Sequence, residues 1–339
     1  MYPTFDDSFA HEDQPPTHSS YLHPGVIAES TRHAYTMRYR SLHKRYSQRL
    51  GYIIDPDELV TLMLADRPTF AMRTWRYYKA SVLHVLNESP DINADAIELL
   101  ASSTSRGLPV RSDRGSGLKA KGVPTKVVDE LVFNLQLNRN TKHRERKYSA
   151  DAVNVLIATI ATGLRPSEWA GADIMLLDDV LHLIVTNGKY NIQRGNGPTR
   201  SLNLSGCTQD QINVIHDTIM QFKSNAHQVT AYIKSLNREI KSSLSDLVSD
   251  RRIQSRFLHI SLYSARHQFA ADAKSANLHY REVAALLGHR SQKTASWHYA
   301  KKSAGSGSVA VSPTPESVAA VSSKQPRSGR FVLRQKPAP

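Results

Sequence analysis

Apolar residues recur along the chain at two spacings, and the switch between them marks out its elements. Between residues 30 and 50, Tyr35, Tyr39, Leu42 and Tyr46 recur at the spacing of one helix face, with Arg32, Arg38, Lys44, Arg45 and Arg49 distributed around them. A second helix is predicted after Pro68. Its apolar stripe is Met72, Trp75, Val82, Leu83 and Leu86, and Arg73, Arg76 and Lys79 lie beside it at intervals of three. With shorter helices near 56–65 and 93–101, this part of the chain reads as a compact four-helix domain.

Further along, Val153, Leu156, Ile157, Ile160 and Leu164 form another helical stripe, with Ser149 as its expected N-cap and Gly163 as its stop. Pro166 suits the first position of a following helix and Glu168 falls in its first turn, so Arg165 stands on a rigid elbow. The spacing then changes to two at Leu181, Leu183 and Val185, which predicts a strand. Asn187 and Gly188 predict a tight hairpin turn after it, followed by Lys189 and a return strand over 200–204. A helix over 264–277 carries Arg266 near its start, with Ala265, Phe269, Ala273 and Ala276 as its buried side. A short helix over 281–287 is stopped by Gly288 and followed by His289, and a helical stretch over 293–301 holds Trp297, His298 and Tyr299. The fold class expected is mainly α with a small antiparallel β-sheet.

Length and composition turn this pattern into domains. A chain of 339 residues with 40% hydrophobic content can fill two cores. Residues 1–22 are polar and aperiodic and read as a flexible segment; 23–105 is the helical domain; 106–123 is a basic linker; 124–302 is the second domain; and 303–339, rich in Ser, Ala, Pro and Gly, is expected to be a disordered basic tail. The linker carries Arg106, Arg111, Arg114, Lys119 and Lys121, and the tail Lys324, Arg327, Arg330, Arg334 and Lys336.

The net charge of +14 favours a polyanionic partner, nucleic acid before any other. Arg38, Lys44, Arg45, Arg73, Arg76, Lys79, Lys119 and Lys121 are the candidates for phosphate contact, because acidic residues are sparse around the first helix. The competing reading is a solvated charged face, and the tyrosines among these arginines are assigned to the core. No apolar run approaches the ~18 residues that span a bilayer, so no membrane partner and a cytoplasmic, nucleoid-associated location are expected. Cys207 is the single cysteine and the 15 histidines are scattered, so no metal site is expected.

The sequence has no nucleotide-binding glycine loop, no Ser-His-Asp order and no paired catalytic carboxylates. What remains is Arg165, Lys189, Arg266, His289 and Tyr299. Each alone has an ordinary reading: Arg165 and Glu168 as a helix-start ion pair, Lys189 as a solvated hairpin lysine. Together they suit a phosphodiester under attack, whose non-bridging oxygens two planar guanidiniums can bind bidentately without a metal. A tyrosine nucleophile, with an unperturbed pKa of about 10, costs roughly 4 kcal/mol to ionise at neutral pH, which a cationic pocket or a nearby base can offset.

These blocks resemble the catalytic domain of the tyrosine recombinase (phage integrase) family. Thr162, Gly163, Leu164, Arg165, Ser167 and Glu168 match its first motif, in which Arg165 would be the first catalytic arginine and Glu168 its supporting acid. Lys189 would be the general acid that protonates the 5′-hydroxyl leaving group, Arg266 the second arginine, His289 the next conserved position and Tyr299 the nucleophile. Tyr263 stands where the family usually has histidine, and the interval from His289 to Tyr299 is longer than in many members.

The resemblance implies a C-shaped clamp of a core-binding domain and a catalytic domain on duplex DNA. It implies cleavage and rejoining through a 3′-phosphotyrosine, with no ATP, metal or other cofactor. It also implies inverted-repeat core sites, a homotetramer on paired sites, and room for an accessory DNA-bending protein. The rival readings are a catalytically silent DNA-binding accessory protein, for which Tyr263 is the best support, and a type IB topoisomerase-like enzyme. A basic scaffold or RNA-binding protein is the blandest, and no aromatic RNA-recognition motif supports it.

Overall fold

The computed structural model describes residues 29–88, 94–109, 122–139, 147–188, 196–292, 299 and 301–322. The chain divides into two compact units, Met1–Gly117 and Leu118–Pro339, each with its own core.

In the first unit, α1 (Glu29–Leu50), α2 (Pro56–Ala65), α3 (Met72–Asn87) and α4 (Ala94–Ser102) pack as the apolar spacing predicts. Leu42 and Tyr46 of α1 meet Leu59, Val60 and Met63 of α2, Trp75, Val82, Leu83 and Leu86 of α3, and Leu100 of α4. Asp55 caps α2 by accepting from the Glu58 amide, and Pro56 occupies its first turn, where a missing N–H costs nothing. The α1 register also brings Tyr46 Oη within 2.9 Å of Asp66 Oδ2, giving that buried phenol its partner.

The second unit is helical around one small sheet. Its elements are α5 (Thr125–Arg139), α6 (Ser149–Thr162), a 3-10 helix at Pro166–Gly171, β1 (Ala172–Leu177), β2 (Val180–Thr186), β3 (Thr199–Asn203), α7 (Gln209–Ser224), α8 (Val229–Ser249), α9 (Leu262–Ser275), α10 (Tyr280–Leu286), β4 (Ser312–Pro313) and α11 (Pro315–Ala319). The four strands lie in the order β1-β2-β3-β4 and pair antiparallel throughout. The expected class, mainly α with a small antiparallel sheet, is the class observed. No helix among the described residues is long and apolar enough to cross a membrane.

Several local expectations change. The tight turn is not at Asn187 and Gly188: β2 ends at Thr186, β3 begins at Thr199, and neither Asn187 nor Gly188 has the positive φ that a two-residue hairpin turn needs. The tight turn joins β1 to β2 instead, through Asp178 and Asp179 at φ 48° and 59°; aspartate tolerates this region because its short carboxylate can bond locally. Ser149 is the first residue of α6, not its cap; Tyr148 holds the cap position, and Glu239 of α8 accepts from Ser149 Oγ at 3.4 Å. Gly163 does end α6, at φ 71°, and a Cβ there would overlap the Phe269 ring. The helix carrying Arg266 is buried on nearly all sides, not one: Leu262 and every residue from 264 to 274 are buried, while Ala276 lies past its end and is half-buried. The expected helix over 293–301 falls largely outside the described residues.

The segment from 303, expected as part of a disordered tail, is folded as far as residue 322. Ser312 and Pro313 extend the sheet against Asn203 and Leu202. Thr314 caps α11, Pro315 starts it, and Val311 and Val321 are buried in the main core. The cap is a threonine, and the Ser, Ala and Pro content that suggests disorder here supplies the helix start, Pro315, and small packing residues such as the buried Ser317.

Candidate active site

Arg165 reaches its position because three backbone decisions occur in a row. Gly163 turns α6 off in the left-handed region, Leu164 is fully buried, and Arg165 is extended (φ −69°, ψ 145°) before Pro166 starts the 3-10 helix. The backbone N–H of Arg165 then donates to Glu168 Oε2 at 2.8 Å, and its Nη1 donates to Glu168 Oε1. Arg165 Nε, also buried, has no hydrogen-bond partner among the described residues.

Glu168 is 1% exposed and is the hub of the site. Its Oε2 accepts from Arg200 Nη2 at 2.8 Å and lies 3.5 Å from Arg266 Nη1. Burial alone would raise its carboxyl, but the charges of Arg200, Arg266 and Arg165 overcome that and hold it well below the usual carboxylate range.

Arg266, on the second turn of α9, is fully buried and uses all three guanidinium nitrogens. Nη1 donates to the Gly163 carbonyl at 2.6 Å, Nη2 to the Leu287 carbonyl at 2.6 Å, and Nε to the hydroxyl of Tyr299 at 3.0 Å. The carbonyls it satisfies are those left over where α6 and α10 end. His289 follows Gly288, whose φ of 61° turns the chain out of α10. Its Nε2 lies 3.1 Å from Tyr299 Oη and 3.4 Å from Arg266 Nη2. Nε2 can accept from both when the imidazole proton is on Nδ1, which is buried without a partner among the described residues. Burial, followed by the charges of Arg266, Arg165 and Arg200, pushes the His289 pKa well below its ordinary value, so the ring is neutral at neutral pH.

Tyr299 is 7% exposed. Burial pushes its phenol up, but the charge and hydrogen bond of Arg266, a hydrogen bond from Tyr263 and the charge of Arg165 outweigh burial and bring it below its ordinary value. Tyr263 moves the other way: burial, the neighbouring Tyr299 and their shared hydrogen bond push it up to about 12. One phenol of this pair is thus a donor and the other an acceptor. Rings surround the acceptor: His267 stands 4.8 Å and His289 5.1 Å from the Tyr299 ring, and Tyr263 stands 5.2 Å from His267.

Six of the sequence-predicted site residues, Arg165, Glu168, Tyr263, Arg266, His289 and Tyr299, therefore meet in one place. Lys189 lies outside the described residues. Two residues of the cluster were not predicted. His267 packs beside the Tyr299 ring from a helix whose burial is nearly uniform, so no periodicity distinguishes it. Arg200 did carry a signal: it alternates with Leu202 on the inward face of β3, and a charged residue in core register requires a partner.

The predicted phosphate-contact residues of the first unit separate into groups. Lys44, Arg45 and Arg73 are exposed; Arg45 stacks over Tyr46 and Tyr78, and Arg73 over Tyr77. Arg38 also lies over Tyr77 and donates to Ser81 Oγ at 3.1 Å, and Arg76 donates to Ser105 Oγ at 2.9 Å. Lys79 is committed to the fold, with its ammonium 2.7 Å from the Ala101 carbonyl and 2.5 Å from that of Ser103, where it caps the end of α4. Lys119 and Lys121 lie outside the described residues.

No protein-family model and no curated protein matches the sequence. Among solved structures, the chain is similar to that of the XerH site-specific recombinase bound to a palindromic difH substrate in a post-cleavage complex, at 13% identity and a TM-score of 0.42, over 78% of this chain and 74% of that one.

Proposed function

We propose that this protein is a site-specific DNA recombinase that cleaves and rejoins DNA through a phosphotyrosine formed on Tyr299. The observation that supports this most is the hydrogen-bond chain Arg266 Nε–H to Tyr299 Oη to His289 Nε2, at 3.0 and 3.1 Å, inside a buried cationic pocket. A structural tyrosine needs one partner. This one has a guanidinium as donor and a neutral imidazole as acceptor, the pairing that readies a phenol for attack.

In the proposed step the Tyr299 oxygen attacks the scissile phosphorus and its proton passes to His289 Nε2. Arg165 and Arg266 neutralise the non-bridging oxygens; the unpartnered Nε–H of Arg165 is the donor that an incoming phosphate oxygen would satisfy. The bond from phosphorus to the 5′-oxygen breaks, and that oxygen takes a proton from Lys189 in the role the family resemblance gives it. Glu168 holds both arginines in place without touching the phosphate. Tyr263, at the position where the family usually has histidine, donates a hydrogen bond to the nucleophile's oxygen. The exposed Lys44, Arg45 and Arg73 contact the DNA backbone, and the working unit is a tetramer on two paired inverted-repeat sites.

The test is a nicked suicide substrate carrying the protein's own site. Wild type should form a complex that survives denaturation, and Tyr299→Phe should form none. A wild type that leaves no covalent complex, or a Tyr299→Phe variant that still does, sinks the proposal. Relaxation of plasmids lacking any specific site would favour the topoisomerase reading instead.

A further inference from the structure

Arg200 has no part in the step above, yet it is 2% exposed and spends every guanidinium nitrogen. Nε donates to the Leu286 carbonyl at 2.9 Å, Nη1 to Oδ1 of Asn187, and Nη2 to Glu168 Oε2 at 2.8 Å. The three acceptors come from three different parts of the second unit. Glu168 is on the 3-10 helix and fixes Arg165; Leu286 ends α10, just before Gly288 and His289; Asn187 follows β2 and donates onward to the carbonyls of Asn196 at 3.0 Å and Gly197 at 2.9 Å. The fit is close enough that a Cβ on Gly288 would come within 2.8 Å of Arg200 Nη1.

Burying a third guanidinium around one carboxylate is an expensive way to hold a fold together, since apolar residues of similar volume commonly serve as well or better. Apolar groups cannot set direction. A planar fork with three acceptors in fixed directions can, and a one-ångström error at a reacting centre is enough to cost about 100-fold in rate.

We propose that Arg200 is a positioning residue of this site, whose guanidinium locks Glu168 and the turn from Leu286 to His289 into the geometry that presents Arg165 and His289 to the Tyr299 oxygen. The inference rests on the recombinase reading for its effect on cleavage, though not for its effect on His289. The charged and titratable groups facing His289 are Arg266 and Tyr299 in direct contact, Arg165 just before the 3-10 helix and Glu168 on it, and Arg200 from β3; the Arg200 charge helps keep the imidazole neutral.

The experiment compares Arg200→Met and Arg200→Lys in the full chain, each below its own melting temperature. The His289 imidazole is titrated by NMR, with His289→Gln identifying the resonance, and single-turnover cleavage of the suicide substrate is followed against pH. Arg200→Met should raise the His289 midpoint, move the acid limb of the rate profile to higher pH and slow cleavage by about 100-fold, with DNA affinity changed far less. Arg200→Lys should return the midpoint to that of wild type, because it restores the charge. It should leave cleavage slow, because a single ammonium cannot span three acceptors. If Arg200→Met does not fold, Arg200→Lys decides: cleavage at the wild-type rate overturns the proposal. A folded Arg200→Met with the wild-type rate and an unmoved midpoint overturns it too, leaving Arg200 a fold element. If wild type itself makes no covalent complex, the recombinase reading fails separately, and the His289 midpoint alone then decides for or against Arg200.

Discussion

Arginines dominate both units, and the two units treat them in opposite ways. In the first, Arg45, Arg49 and Arg73 lie over the rings of Tyr46, Tyr77 and Tyr78 with their charges in water, and the Arg49 to Asp66 pair is 53% exposed on the arginine side. In the second, Arg165, Arg200 and Arg266 converge on one carboxylate, with side-chain exposures of 10%, 0% and 0%. Water decides what each arrangement can do. An exposed guanidinium keeps its hydration and its freedom, so it can meet any phosphate that approaches. A buried one has lost its hydration and is held by the acceptors around it, so it points in a fixed direction, and an N–H left without an acceptor, as at Arg165 Nε, is directed too. Net charge therefore indicates a class of partner, whereas buried charge indicates a site.

The sharpest way to break this contrast is to remove one partner from each kind of pair. Glu168→Gln leaves three buried guanidiniums without a counter-charge and should cost about 3–5 kcal/mol of folding stability. Arg49→Met should cost less than about 1 kcal/mol. Urea unfolding measures both, and similar losses would mean that buried and exposed arginine pairs do not differ in this protein. The acid side gives an independent reading. The charges of Arg200, Arg266 and Arg165 hold the folded Glu168 carboxyl well below the usual carboxylate range against its burial, so its stabilisation is present above the unfolded pKa and is lost as pH falls through the folded one. Wild type should weaken steadily below about pH 4, and Glu168→Gln should lack that part of the slope.

The next largest effect separates chemistry from attraction. Arg165→Ala should slow single-turnover cleavage by about 10²–10³-fold, the usual cost of losing one donor to a developing oxyanion. Arg45→Ala should leave the rate at saturating DNA unchanged and reduce the slope of log affinity against log salt by about 0.9. If Arg45→Ala slowed the bound complex, or Arg165→Ala acted only on affinity, the roles of the two units would have to be exchanged.

How much of this was legible beforehand follows the same division. Elements whose burial is one-sided could be read, because α1 and α3 bury one stripe and expose the other, and their spacing records it. Elements buried on every side could not be read in detail: α9 hides both faces, so its sequence predicted a helix but not that His267 would pack against Tyr299. Sheet register depends on turn chemistry, and the aspartate pair at 178 and 179 makes a tight turn without the Asn-Gly signature, which lies at 187 and 188 where no tight turn forms. Composition misled at residues 303–322, where small and polar residues cap and pack. The residues that meet around Tyr299 were legible through the motif order that the family resemblance supplies, while Lys189 lies outside the described residues. Arg200 stands outside that order; its core register on β3 is its sequence signal, and its acceptors show where its charge is directed.

The smallest predicted effect tests the contrast inside the first unit, between two lysines that the sequence treats alike. Lys44 is exposed on α1, whereas Lys79 is half-buried with its ammonium on the carbonyls of Ala101 and Ser103. Lys79→Met removes a charge from the C-terminal end of a helix together with its hydrogen bonds, and should cost about 1 kcal/mol. It should leave the salt dependence of DNA binding unchanged, since that ammonium is already engaged. Lys44→Met should do the reverse, shifting stability by less than about 0.5 kcal/mol while lowering the salt slope by about 0.9. Thermal unfolding and binding titrations at several salt concentrations give both quantities for each variant. Equal salt slopes for the two variants would mean that proximity to the basic surface matters more than solvation, and the division between buried and exposed cations would then hold only in the second unit.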